Sequence, residues 1–324
     1  MPPVEQPTVK PMKIGFYIDR PESAPSDEEE QLIKGALNSA VSLALDMLEQ
    51  KHLAFFQALV WIGAEAVERW GDVNDPKQII YPTRPRKGKQ QKYLYERPSD
   101  KEMARWVRFF LRQLRHHFMP CVVGNITDAE AMTSRVDWAE QARAKCRSEG
   151  NEQPSNGDIM QRWDPDNAGE MFHDLAPMHC FAKAWSTYLA AKKTGDPLLP
   201  QYTAIYHAEL AFQAITVAHE LTHFFTCFLS GYESVRTPVS VAPGPGHVAG
   251  GRGEAGKMLE LLALGGCAYI SRGNYYGVDT VSIYLAKNGA AVYVAPEALE
   301  GLVNRGTLGR HERGWPADYW TDSF

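Results

Sequence analysis

The chain has 324 residues, of which 44% are hydrophobic and 11% aromatic, so it can form one large or two moderate folded domains and does not resemble a disordered chain. Its formal net charge of −5 gives no general attraction to nucleic acid or to an anionic membrane, and we expect neither as a partner. The five cysteines are scattered and include no Cys-x-x-Cys pair, which excludes a disulfide framework and a thiolate zinc ribbon.

The N-terminal sequence bears on where the protein is found. Residues 1–7 lack the basic start and the apolar segment of a signal peptide. No stretch approaches the 18 or more apolar residues of a transmembrane helix. We therefore expect a cytoplasmic protein with reduced cysteines.

The first part of the chain is predicted to be rich in helices. Residues 1–30 are rich in proline and acids and are expected to be mobile, apart from a short strand at about 13–19. Ser26 and the acids after it mark the start of a helix. This helix is predicted to end near residue 50. Apolar periodicity predicts three more helices at about 52–70, 100–117 and 127–147, and residues 118–123 are predicted to form a strand.

Residues 71–100 are predicted to form a polar loop that contains a basic run at 84–92. That run could contact an acidic partner, although a solvated loop is the more ordinary interpretation. Residues 148–169 are predicted to be a second loop because they are rich in Asn, Asp, Gly and Pro.

The second part of the chain is predicted to hold four more helices and a hairpin. The helices span about 179–193, 201–230, 253–264 and 296–304, and the strands span 278–285 and 290–294. The predicted class is α+β and predominantly helical. The predicted division is a helix-rich region at 31–160 and a catalytic region at 161–324, or one continuous domain over 31–324.

The longest predicted helix carries the strongest functional signal. Residues 211–229 contain no Gly or Pro and are apolar on nearly every side, which predicts a buried helix. Within it, His219 and His223 are four residues apart and therefore share one face. That spacing lets two imidazoles reach one zinc ion, and Glu220 can accept a proton from a water on that ion. Because unpaired polar groups are costly to bury, we prefer this interpretation to a plain core helix.

A catalytic zinc site needs a third protein ligand and a fourth position left open for water. The helix predicted at 253–264 offers Glu254 and Glu260. The residues favour Glu260 but leave Glu254 open as the alternative ligand. Glu254 follows three glycines within four residues, so its plainer role is a favourable interaction with the N-terminal dipole of that helix.

Together these segments resemble the active-site region of the thermolysin-like gluzincin metallopeptidases. The matching residues are Val217-Ala-His-Glu-Leu-Thr-His223 with Thr226 and Gly231, and Glu254-Ala-Gly-Lys-Met-Leu-Glu260. The resemblance implies a zincin-like core built on a long active-site helix, and a peptidase that uses Zn²⁺. It also implies that Glu260 is the third zinc ligand and that Glu254 is a nearby structural acid.

The chain departs from that family in two places. The family usually has a short connection between the second His and the ligand Glu, whereas 36 residues separate His223 from Glu260. The family also places an Asp four residues after the ligand to orient a zinc histidine, and Leu264 stands there. Zinc-bound histidines normally donate their other N–H to an acceptor. Candidate acceptors are Glu254, Glu233 and Asp174.

A hydrolase site also needs a second donor for the oxyanion that develops on the substrate carbonyl. Zinc peptidases commonly take it from a His or Tyr in a later segment. The candidates are His311, which we prefer, and Tyr275, Tyr276 and Tyr232. Four other histidines could approach the metal, although each is more simply explained as an ordinary polar residue. They are His173, His179, His207 and His247.

The leading hypothesis is a zinc-dependent peptidase that acts on a peptide or small-molecule amide through a zinc-activated water, with Glu220 as general base. One alternative is an intracellular zinc-dependent enzyme that modifies a small molecule in a biosynthetic pathway. The long connection at 231–253 and the missing Asp favour it. The other alternative is a metallopeptidase-like binding protein without activity.

Overall fold

The chain folds around one long helix, flanked by further helices and two small sheets. The computed structural model describes residues 13–17, 25–50, 54–70, 80–82, 95–126, 129–233, 235–244, 253–275, 278–287 and 289–305. Within these ranges the fold is α+β and predominantly helical, as predicted, with nine α-helices and seven strands. No helix in these ranges is both long and apolar enough to cross a membrane.

Three helices of the first part confirm the predictions to within two residues. They are α1 (Asp27–Glu49), α2 (Ala54–Arg69) and α3 (Asp100–His116). Ser26 begins α1 through a capping box, in which its hydroxyl accepts from the Glu29 N–H and the Glu29 carboxylate accepts from the Ser26 N–H. The acids in the first turn also suit the positive end of the helix dipole.

A four-stranded sheet joins segments that are distant in sequence. Its strands are β1 (Ile14–Tyr17), β2 (Cys121–Gly124), β3 (Ala131–Arg135) and β4 (Gly169–Asp174), in the order β1-β2-β4-β3. The first three in that order are parallel, and β3 closes the edge as an antiparallel strand. β2 and β4 come from opposite sides of residue 160, and they pair directly.

The predicted helix at 127–147 is wrong in its first half, which is strand β3. Only the second half is helical, as α4 (Trp138–Ser148). Residues 131–135 pair along their whole length with β4, so tertiary pairing overrides the local preference. The loop predicted at 148–169 also contains a short helix, α5 (Asn156–Gln161), which is capped by Ser155.

The four helices predicted for the second part of the chain are present. They are α6 (Leu175–Thr194), α7 (Leu199–Ser230), α8 (Ala255–Leu264) and α9 (Pro296–Arg305). Helix α6 begins four residues before its predicted start. The 32-residue α7 is the centre of the fold, because α1, α6, α8 and α9 all pack on it. It ends at Gly231, where φ is +84° and an added Cβ would lie under 3 Å from Ile80 and Ala139.

A three-stranded antiparallel meander covers one side of α7. It comprises β5 (Cys267–Tyr275), β6 (Val278–Lys287) and β7 (Ala290–Tyr293). The hairpin of β6 and β7 was predicted and β5 was not. Arg272 of β5 donates to both carboxylate oxygens of the buried Glu209 on α7, at 2.7 and 2.9 Å, and so fixes the meander to the helix.

The buried His173 should make the stability of the fold depend on pH. It lies on β4, is fully buried, and neither ring nitrogen has a hydrogen-bond partner among the described residues. Burial lowers its pKa from 6.5 to about 4. Between these values the unfolded chain binds a proton that the folded chain excludes, so the free energy of unfolding should fall as the pH drops from 7 to 4.

We expect His173→Leu to remove about 3 kcal/mol of that decline, the equivalent of the pKa difference. Urea denaturation of both proteins between pH 7 and pH 4 measures it. Parallel curves for wild type and variant would contradict the prediction.

Candidate metal centre

Helix α7 places two imidazoles side by side. His219 and His223 are one turn apart, and their ring centroids are separated by 5.2 Å. Their side chains are 14% and 19% exposed, so the pair is recessed but reachable from solvent. This arrangement follows directly from the four-residue spacing on a helix.

Helix α8 approaches this pair so closely that a glycine is required. A Cβ on Gly256 would lie 2.1 to 2.4 Å from three ring atoms of His219. A Cβ on Gly253 would lie 2.0 Å from the carbonyl oxygen of Pro238. The glycines on either side of Glu254 therefore bring α8 against the histidine face of α7.

Glu254 stands at the start of α8 and uses its two oxygens differently. Its Oε2 accepts from the Lys257 N–H at 2.6 Å and caps the helix. Its Oε1 lies 2.5 Å from Nε2 of His223 and 3.4 Å from Nε2 of His219. One carboxylate oxygen therefore faces both Nε2 atoms.

His219, His223 and Glu254 together fit a metal ion. Their ligand atoms all lie within 4.8 Å of one another, and among the described residues no other group of His, Cys, Asp and Glu meets that condition. Two ligands that are bound about 2.0–2.1 Å from one tetrahedral zinc lie roughly 3.4 Å apart, so small side-chain movements bring all three into range. Two imidazoles and one carboxylate form a donor set found in catalytic zinc sites.

Glu260 lies on the other side of His219. Its Oε1 is 2.5 Å from Nδ1 of His219, and its Oε2 accepts from the Ala268 N–H of β5 at 2.6 Å. The side chain is almost fully buried, and the Lys257 Nζ lies 3.7 Å from Oε1. Glu260 thus fixes the orientation of the ring and supplies the acceptor that Leu264 does not.

The geometry therefore favours the alternative ligand of the sequence analysis. Glu254 faces the Nε2 atoms, whereas Glu260, expected as the third ligand, faces Nδ1. Nδ1 and Nε2 point away from each other, so in this arrangement Glu260 does not share a metal with both histidines. The other proposed acceptors lie elsewhere: Asp174 accepts from the Ile126 N–H, and Glu233 is exposed.

The carboxylates make the imidazole edge a favourable place for positive charge. Burial alone lowers the pKa of His219, but Glu254 and Glu260 outweigh it and raise the pKa to about 10. Burial likewise raises the pKa of Glu254, but hydrogen bonds from His219 and His223 outweigh it and lower the pKa. The site thus stabilises a cation between the helices.

Glu220 lies beside the three donors without joining them. It is 6% exposed, and its Oε1 is 4.0 Å from Nε2 of His219. A carboxylate in this place can exchange a proton with a water next to the Nε2 atoms. This is the position expected from the sequence for a general base.

Several candidates lie apart from this centre or outside the described residues. His311, Tyr276, His247 and the side chain of Tyr275 lie outside the described residues. The Tyr232 hydroxyl bonds with Arg143 and Glu140 of α4. His173, His179 and His207 lie on β4, α6 and the first half of α7, and none joins the group of three. Sequence reasoning missed Lys257, whose only signal was its position one turn after Glu254.

No family model matches the chain, and no curated protein or solved structure matches it either. What points to a function is therefore the arrangement of these side chains and the motif that places them.

Gly256→Ala tests the close approach of the two helices. The added Cβ would force α8 away from His219 and separate Glu254 from the histidines. We expect zinc affinity to fall about 10- to 100-fold, as when an orienting residue of a metal site is lost. Competition with a chromophoric chelator measures it. The matched control is Gly157→Ala in α5, where the nearest atom is 3.7 Å away; equal affinities in both variants would count against the close contact.

Proposed function

We propose that this protein is a zinc-dependent metallohydrolase with a zincin-like core, and most simply a peptidase of the gluzincin type. The observation that carries the proposal is the convergence of three ligand atoms from His219, His223 and Glu254, with Glu220 next to them. The resemblance to the gluzincin motif supports it, with Glu254 in place of Glu260 as the third ligand.

The number of donors supports a catalytic role over a structural one. Structural zinc sites are closed by four protein ligands, whereas catalytic sites have three and leave a position for water. Among the described residues, no fourth His, Cys, Asp or Glu joins the group.

The chain's own residues divide the work of hydrolysis. When bound, zinc would lower the pKa of a coordinated water towards about 7 and polarise the substrate carbonyl. Glu220 accepts the proton of the attacking water and delivers it to the leaving nitrogen. Glu260 fixes His219 through Nδ1, and the β5 backbone at Ala268 fixes Glu260.

A small-molecule amide is the second candidate substrate. The two histidines are no more than 19% exposed and Glu254 is 30% exposed, so the ligand atoms are recessed. A recessed site favours a compact substrate over an extended chain. Cleavage of a peptide library would separate the two, because an enzyme for a compact substrate should leave the library intact.

The two glutamates have different expected roles in metal binding. Glu254→Ala removes a ligand, so we expect no stoichiometric zinc after dialysis against a weak chelator. Glu260→Gln keeps an acceptor for Nδ1, so zinc should be retained with an affinity lowered about 10- to 100-fold. Elemental mass spectrometry and chelator competition measure both, and the reverse order would restore Glu260 as the ligand.

Glu220→Gln tests the proposed base. The amide has nearly the same shape but cannot accept the proton, so we expect one zinc per chain and a loss of turnover of about 10²- to 10⁴-fold. The measurement is cleavage of a peptide library and of N-acyl amides, with zinc content determined on the same samples. Retained turnover would remove Glu220 from the mechanism.

A further inference from the structure

The solvent side of α3 carries a continuous row of cations. The exposed residues are Lys101, Arg105, Arg108, Arg112 and His116. Their spacings of four, three, four and four residues place them on one face of the helix. The row extends over 16 residues, and its 15 steps of 1.5 Å give a length of about 22 Å. We call it the basic face of α3.

The helix that carries the basic face is anchored in the core, and two of its guanidinium groups lie over aromatic rings. The opposite side of α3 is buried in the core through Met103, Val107, Phe110, Leu111 and Leu114. The Arg108 guanidinium lies 5.6 Å from the Phe56 ring, and that of Arg112 lies 5.7 Å from the Phe109 ring. Stacking of this kind restrains a guanidinium and leaves N–H groups free to bind a planar oxyanion.

The buried and the exposed cations of α3 differ in whether they form ion pairs. Arg115 is buried and pairs with Asp46 and Glu49 of α1. By contrast, no carboxylate in the described ranges forms an ion pair with the four Lys and Arg side chains of the basic face. The inward cation is neutralised within the fold, and the outward cations face solvent.

The sequence concentrates positive charge around this helix. Residues 84–117 contain 11 Lys and Arg against 3 Asp and Glu, a formal charge of +8. Since the whole chain carries −5, the remaining residues carry −13. The basic run at 84–92 lies outside the described residues. A row of cations on one face of a helix attracts an anionic partner to that face.

We propose that the basic face of α3 is a docking surface for an acidic polypeptide segment. Carboxylates accept paired hydrogen bonds from guanidinium groups, and a segment of about 20 Å can satisfy the whole row. A long nucleic acid or a membrane would extend beyond the row, onto a chain whose residues outside 84–117 carry a formal charge of −13. A membrane would also need exposed apolar side chains, and among the described residues α3 has no exposed large hydrophobic one. This docking surface is independent of the proposed metal centre.

The test uses a labelled, end-blocked synthetic peptide of 18 residues, with Glu at positions 1, 5, 8, 12 and 16 and neutral residues elsewhere. Fluorescence anisotropy with the full-length protein should show saturable binding that weakens as salt is added. The triple variant Arg105→Glu, Arg108→Glu, Arg112→Glu should bind at least about 10-fold more weakly. The matched control reverses three exposed cations elsewhere, as Lys145→Glu, Arg147→Glu, Lys193→Glu, and should bind like wild type.

The same variants are tested with a 20-base-pair DNA duplex and with vesicles that contain phosphatidylserine. Tighter binding of either one than of the peptide, lost in the triple variant, would overturn the acidic-polypeptide assignment. So would equal loss of peptide binding in the control, or no peptide binding by wild type. If circular dichroism shows that the reversed variant is unfolded, the neutral variant Arg105→Gln, Arg108→Gln, Arg112→Gln replaces it with the same expected direction.

Discussion

The candidate centre depends on one close contact between two helices. Helix α8 can lie against the histidine face of α7 only because Gly256 has no side chain where the His219 ring passes. That contact places Glu254 at the Nε2 edge and Glu260 at the Nδ1 edge of the same imidazole. The donors are therefore set by the packing of two rigid elements and not by a flexible loop, as a precise metal site requires.

Wherever the decisive interactions are local, the sequence predicted the structure. The start of α1 was readable because the hydroxyl of Ser26 and the acid at Glu29 cap a helix that begins next to them. The pairing of His219 with His223 was readable for the same reason, since the helix fixes their relation. Strands β3 and β4 could not be predicted from local sequence. They are stabilised by pairing with each other, and β4 also pairs with β2, which lies far from it in sequence.

The roles of Glu254 and Glu260 likewise could not be predicted from local sequence. Local sequence brings both Glu254 and Glu260 onto α8, and family resemblance ranks the second as the ligand. Which edge of an imidazole each carboxylate meets depends on how α8 is rotated and where it crosses α7. The Ala268 N–H of β5 also holds Glu260 at Nδ1, and that strand had no distinct signal in the sequence.

Acidic groups outnumber basic ones at the centre, and the row of cations on α3 lies away from it. Glu220, Glu254 and Glu260 surround one imidazole, and the Lys257 ammonium lies near Glu260. Their combined negative charge suits a divalent metal. Elsewhere, α3 is packed on the core by its apolar side, and the exposed cations of its other side have no ion-pair partner among the described residues. The cost of burying charge explains this division, because a charge inside the fold needs a partner and a charge at the surface remains available to one from outside.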